Sequence, residues 1–198
     1  MTAWLDFFAN TFFARFWLRC FTDELPFGMI LEESEGDYLK DLLEHAMITA
    51  AGAHMGQMDK GGQPYILHPI RVMLQCGRME ERAVALLHDV LEDTPLIAAE
   101  LAAEGFPQEV LEAVVCLTRV EDEDYAAYIE RVCGNRLAAA VKLADLTDNM
   151  DLNRLPGLTQ RDFQRLERYI RAKRRVEQAL EEWNERGEKH ERVDKGTL

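Results

Sequence analysis

The sequence predicts an all-α fold, a single domain of about eight helices with no sheet. Three observations carry this. Apolar residues recur at helical spacing through most of the chain from Gly36 onward. No stretch shows the period-two alternation of a half-buried strand. The connections between periodic stretches are short and carry Gly, Pro, Asp or Thr where helices start and stop. There is no internal repeat and no hinge-like linker.

The helices follow in order. Asp37 is placed to cap a first helix whose apolar positions Leu39, Leu42, Leu43, Ala46, Met47 and Ala50 share a face, and which runs toward His54. Asp59 to Pro64 reads as a Gly-rich turn. Ile66 to Gln75 reads as helix, ending near Gly77. A central helix is expected from Met79 to Thr94, because the residue before Pro95 is pushed out of the helical region. Thr94 is expected to cap the next helix, with Pro95 in its first turn and Gly105 closing it. Pro107 opens a helix through Leu117, and Tyr125 to Val132 forms a short one. Leu137 to Met150 is a second strongly apolar helix. Thr159 with Asp162 resembles a cap before a long charged helix to about Trp183. The expected organisation is therefore an aromatic-rich extension over 1–28, a helical domain over 29–184 and a polar, frayed tail over 185–198.

The extension gathers Trp4, Phe7, Phe8, Phe12, Phe13, Phe16, Trp17 and Phe21, without a signal peptide's basic start or cleavage site. It reads as extra packing on the domain or as sequence upstream of a natural start at Met29. An amphipathic helix on a membrane or partner is the competing reading.

A chain of 198 residues suffices for one domain with a single substantial core. Its formal net charge of -13 argues against nucleic acid or an anionic membrane as the main partner, because phosphate-backbone affinity comes from lysine and arginine. A small anionic ligand remains compatible where local cations focus positive potential. Cys20, Cys76, Cys116 and Cys133 show no CxxC pairing and read as reduced thiols of a cytoplasmic protein. No stretch reaches the roughly 18 consecutive apolar residues of a membrane span.

Chemistry concentrates in polar intruders. His88 and Asp89 stand in a run where Ala83, Val84, Ala85, Leu86, Leu87, Val90 and Leu91 leave no polar face. Each costs on the order of 2–7 kcal/mol there unless partnered. A divalent cation would partner both, and a self-satisfied His–Asp pair is the plainer alternative. Asp145 repeats the anomaly among Val141, Leu143, Ala144 and Leu146, with Asn149 one turn on. His68 is a third such point, flanked by Tyr65, Ile66, Leu67 and Pro69. His68, His88, Asp89 and Asp145 would make a two-imidazole, two-carboxylate site. That donor set suits manganese, iron or zinc. Manganese or iron would keep open positions more readily than zinc, which favours four ligands. Glu92 and Asp93, one turn beyond His88 and Asp89, read either as acids serving this site or as plain helix-terminal acids.

These blocks carry a resemblance. AHMGQMDKGGQPYILHP (53–69), ALLHDVLEDT (85–94), LTR (117–119) and VKLADLTDNM (141–150) resemble, in this order, the HD phosphohydrolases. More closely they resemble the hydrolase domain of the RelA/SpoT-type alarmone enzymes, in particular the stand-alone small alarmone hydrolases. The resemblance implies an HD-domain helical bundle that hydrolyses the 3′-pyrophosphate of (p)ppGpp-like nucleotides and releases pyrophosphate, with manganese as cofactor. It implies His68, His88, Asp89 and Asp145 as metal ligands and Glu92 and Asp93 as the groups that orient and deprotonate the attacking water. It implies Asn149, Lys60 and Tyr169 as substrate contacts, and His54 as structural.

One position departs from the family. Its Arg-Lys pair reads Asp59-Lys60 here. An arginine stacks on a base and grips a phosphate, and aspartate does neither. Asp59 is therefore expected to read the base by accepting a hydrogen bond, which shifts the expected preference toward (p)ppApp over (p)ppGpp. Other readings are a phosphatase for nucleoside monophosphates or the 2′-phosphate of NADPH, and a non-catalytic nucleotide-binding domain. An oligomer is compatible with the sequence. The basic run Arg161, Arg165, Arg168, Arg171, Lys173, Arg174, Arg175 reads as a solvated face paired with Glu167 and Glu177, with Arg168 or Arg171 reaching a substrate phosphate as the alternative.

Overall fold

The computed structural model describes residues 35–154 and 157–195. The readings made for residues 1–28 lie outside them. Nine α-helices are present among the described residues: α1 (Glu35–Ala53), α2 (Leu67–Leu74), α3 (Met79–Leu87), α4 (Val90–Asp93), α5 (Ala98–Ala103), α6 (Gln108–Leu117), α7 (Tyr125–Cys133), α8 (Arg136–Asn149) and α9 (Gln160–Lys195). A 3-10 turn at Leu152–Arg154 follows α8. These residues contain no sheet; Met58 and Pro64 form an isolated bridge across the Gly-rich turn.

Helices α3 and α8 are the axis of the fold. α3 packs on α1, α2, α6 and α8, and α8 packs on α2, α3, α6, α7 and α9. Their sequences explain this. Ala83, Val84, Ala85, Leu86 and Leu87 are all fully buried, as an all-round apolar helix requires. In α8, Ala138, Ala139, Val141 and Leu146 are equally inaccessible. Fully burying a leucine or valine contributes about 1.5–3 kcal/mol, so these two helices supply much of the core's hydrophobic stabilisation. No helix among the described residues is long and apolar enough to cross a membrane. Cys76, Cys116 and Cys133 are free thiols, the first and last of them buried.

Four boundaries differ from the sequence reading. α1 begins at Glu35, so Asp37 lies inside it. The expected helix from Met79 to Thr94 is broken at His88–Asp89, and α4 restarts at Val90. Thr94 ends α4 instead of capping α5: its hydroxyl donates to Val90 O at 2.6 Å and accepts from Leu96 N. Ile97 precedes α5 in extended backbone, and its N–H donates to Glu100. Finally, α9 runs on to Lys195, well past Trp183. Glu, Arg and Lys, which recur through this stretch, are good helix formers. Gly105 closes α5 as expected, at φ +88°, a conformation glycine adopts without strain.

Candidate metal centre

The break after Leu87 builds the site. Adjacent side chains of a continuous helix point about 100° apart and do not face each other. Here Asp89 sits at φ -101°, ψ -5°, and its carboxylate swings back beside the preceding imidazole. His88 Nε2 and Asp89 Oδ2 are 3.0 Å apart. From α2, His68 Nε2 comes within 3.6 Å of Asp89 Oδ2. From α8, Asp145 Oδ1 lies 3.3 Å from His68 Nε2 and 3.8 Å from His88 Nε2. Two imidazole nitrogens and two carboxylate oxygens thus converge from three elements. His68, His88 and Asp145 are buried and Asp89 is half-buried.

Both imidazoles are held at their other nitrogen. His88 Nδ1 donates to Ala85 O at 2.7 Å, and His68 Nδ1 donates to Asp148 Oδ2 at 2.7 Å. Each therefore turns Nε2 inward. His88 Nε2 is fully buried with no hydrogen-bond partner. Two nitrogens facing two carboxylates require positive charge between them, as a proton or as a cation. The titration behaviour says the same. Burial pulls the His88 imidazole down, yet Asp89 and Asp145 hold it well above its ordinary value. Burial opposes ionisation of Asp89, but His88 brings its carboxyl down to about 2. Asp145 is likewise held far below the usual carboxylate range against its burial, chiefly by Lys142. The donor set and the orphaned nitrogen fit a divalent cation, with His68, His88, Asp89 and Asp145 as its holders.

The cluster forms the floor of a cavity of about 490 Å³. Every site residue put forward from the sequence lines it: Glu92, Asp93, Lys60, Asn149, Asp59 and Tyr169 join the four above. Their engagements differ. Asp93 accepts from the Tyr65 hydroxyl at 2.9 Å, and that hydroxyl also lies 2.5 Å from Asp89 Oδ2. Glu92 accepts from the Arg119 backbone N–H at 3.2 Å. Asn149 donates to Asp145 Oδ1. Asp59 Oδ1 accepts from Gly61 N at 2.8 Å and Gln63 N at 2.9 Å, so one of its oxygens closes its own loop. His54 is buried outside the cavity lining and holds Gln57, which donates to the Asp93 carbonyl.

The basic run of α9 divides. Arg165 and Arg168 line the cavity, whereas Arg171 pairs with Glu167 on the exposed face and Arg175 with Glu130. Sequence reading missed Tyr65, Lys142, Asp148 and Arg71. Lys142 Nζ lies 2.8 Å from Asp145 Oδ2, and Arg71 grips Asp148 with two nitrogens at 2.8 and 3.2 Å. The available signal was Asp148 itself, a second acid one turn from Asp145 in an apolar helix.

No family model matches the chain. The bifunctional (p)ppGpp synthase/hydrolase SpoT of Escherichia coli (strain K12) is 32% identical over 123 residues, 54% of this chain and 17% of that protein. A guanosine-3′,5′-bis(diphosphate) 3′-pyrophosphohydrolase of Haemophilus influenzae is 34% identical over 118 residues, 52% of this chain and 17% of that protein. This chain therefore spans about a sixth of the length of these relatives. Among solved structures, a metazoan ortholog of SpoT described as hydrolysing ppGpp superposes with a TM-score of 0.58 at 26% identity, covering 74% of this chain and 96% of that one.

Proposed function

We propose that this chain, a RelA/SpoT-type HD-domain protein, is a divalent-metal-dependent hydrolase of the 3′-pyrophosphate of alarmone nucleotides, (p)ppGpp or (p)ppApp, releasing pyrophosphate. The convergence of His68, His88, Asp89 and Asp145 at the floor of a cavity with both acids and cations on its walls carries the reading. A similar solved structure described as hydrolysing ppGpp supports it.

The four side chains would hold the ion, and manganese is favoured because four protein ligands must leave further positions open. When bound, such an ion neutralises charge on phosphoryl oxygens and lowers the pKa of water toward about 7. The remaining work belongs to the chain. Glu92 and Asp93 stand on the cavity wall one turn beyond the cluster, and one of them accepts the proton of the attacking water. Tyr65 fixes the Asp93 carboxylate for that task, and the Arg119 backbone fixes Glu92. Water adds to the phosphorus joined to the ribose 3′ oxygen. The P–O3′ bond breaks, and the 3′ oxygen leaves with the nucleoside and takes up the proton that the acid removed from the water. Lys60, Arg165 and Arg168 offer positive charge to the phosphates, and Asn149 and Tyr169 line the sugar end.

A turnover panel with manganese tests this. 3′-Pyrophosphorylated guanosine and adenosine nucleotides, a nucleoside monophosphate and NADPH are offered side by side, with products identified. Pyrophosphate release from the first two supports the reading. Orthophosphate release from the others, with no pyrophosphate from the first two, would replace it.

A further inference from the structure

The two imidazoles of the cluster are anchored unequally. His88 Nδ1 rests on a neutral carbonyl, Ala85 O. His68 Nδ1 rests on a carboxylate, Asp148 Oδ2, at the same 2.7 Å. Asp148 is buried, 6% exposed, and joins two helices through one pair of facing turns. On α2, His68 and Arg71 lie three residues apart; on α8, Asp145 and Asp148 do. His68 Nδ1 meets Asp148 while its Nε2 meets Asp145 at 3.3 Å. Arg71 Nε donates to the other Asp148 oxygen at 2.8 Å and its Nη2 reaches Oδ2 at 3.2 Å. Oδ2 is thus closer to the imidazole than to the guanidinium.

A tie between α2 and α8 needs only Arg71 and Asp148. Placing His68 on the same carboxylate does more. An ionised acceptor at Nδ1 fixes the proton there, leaves the Nε2 lone pair directed into the cluster, and makes that nitrogen a stronger donor than a carbonyl acceptor would. Arg71 occupies Asp148 Oδ1 and holds the carboxylate in place, while Oδ2 faces the ring N–H of His68 at the shorter distance.

We propose that Asp148, supported by Arg71, is a positioning residue that sets the ligand strength of His68, and hence the affinity of the centre for its divalent ion. The inference rests on the metal reading of the same site, and its test needs no substrate. Manganese affinity is measured by titration of the wild-type chain and of Asp148→Asn, Arg71→Gln and the double variant, alongside the thermal midpoint of each without metal. Asparagine keeps an oxygen for His68 but removes the charge.

Asp148→Asn is expected to weaken manganese binding about 10–100-fold. Arg71→Gln, which breaks the same interhelical ion pair, is expected to lose thermal stability but markedly less affinity. The double variant removes both members of the Arg71–Asp148 ion pair and stays measurable should Asp148→Asn fold poorly; it is expected to share the affinity loss. Wild-type affinity in Asp148→Asn or in the double variant would overturn the proposal. So would Arg71→Gln losing as much as Asp148→Asn, because the interhelical tie alone would then explain both. A wild-type chain that binds no manganese would overturn the metal reading as well, which separates the two failures.

Discussion

His88 Nε2 and Asp89 Oδ2 stand 3.0 Å apart although the two residues are neighbours in sequence. A continuous helix would send them to different sides. The break between α3 and α4 is what lets two consecutive residues serve one centre, and it places Glu92 and Asp93 on the wall above it.

Asp89→Ala tests the ligand role. The carboxylate is half-buried and on a turn, so the fold should survive its loss. Metal affinity and turnover should fall together, by at least about 100-fold, judged against the losses seen when mere supporting groups of metal sites are removed. Metal analysis and steady-state kinetics on the same preparation check this. Loss of turnover with full metal content would remove Asp89 from the ligand set.

Glu92→Gln and Asp93→Asn should behave differently. Neither reaches the cluster directly, so both variants should keep metal. Removing a positioned general base typically costs about 10²–10⁴-fold in rate. The acid that acts on water is the one whose amide variant shows the larger fall in kcat at unchanged metal content. Two variants with wild-type kcat would exclude the pair from proton transfer.

Chelation should stop turnover and lower the thermal midpoint, and manganese should restore both. At a free ion concentration of 100 times Kd, binding to the folded chain alone contributes about 2.7 kcal/mol. Calorimetry with and without manganese reads this directly. An unchanged midpoint at saturating metal would show that the ion does not bind the folded chain.

Asp59 combines loop closure with any contact to the base. Asp59→Asn keeps an oxygen for the Gly61 and Gln63 amides but loses the charge. Relative turnover of adenine and guanine substrates should shift in Asp59→Asn if the carboxylate reads the base. Asp59→Ala should instead raise KM for both, because the loop itself is loosened. An unshifted ratio in Asp59→Asn confines the residue to loop closure.

Glu123 supports the segment that carries Arg119. The Arg131 guanidinium bonds Glu123 and also the carbonyls of Cys116 and Thr118. Its hydrogen bonds hold the Glu123 carboxyl below the ordinary value of 4.5. A folded value below the unfolded one means stability that is full above about pH 4.5 and lost as pH falls through the lower folded value. The stability gap between wild type and Glu123→Gln should therefore be constant near neutrality and close on acidification. Denaturant titrations at several pH values measure it, and a gap that widened in acid would contradict the assignment.

What the sequence could show follows from physics. Polar groups in apolar runs are conspicuous, so His68, His88, Asp89 and Asp145 stand out, and the structure brings them together. Helix order was legible for the same reason: the apolar runs Ala83–Leu87 of α3 and Leu137–Val141 of α8 make polar intruders conspicuous. The break at His88–Asp89 was not legible, because neither residue is a glycine or proline and the apolar pattern runs straight through. Nor was the Arg71–Asp148–His68 chain, since nothing local signals a pairing across 77 residues. Tyr65 looked like one more apolar flank of His68, and only its hydroxyl between two carboxylates gives it a part.

The most direct test of the central claim is anomalous diffraction at the manganese edge from crystals grown with the ion. The account predicts one strong peak per chain, about 2.0–2.3 Å from His68 Nε2, His88 Nε2, and one oxygen each of Asp89 and Asp145. Absence of a peak there, with the four side chains ordered and manganese in excess, would contradict it.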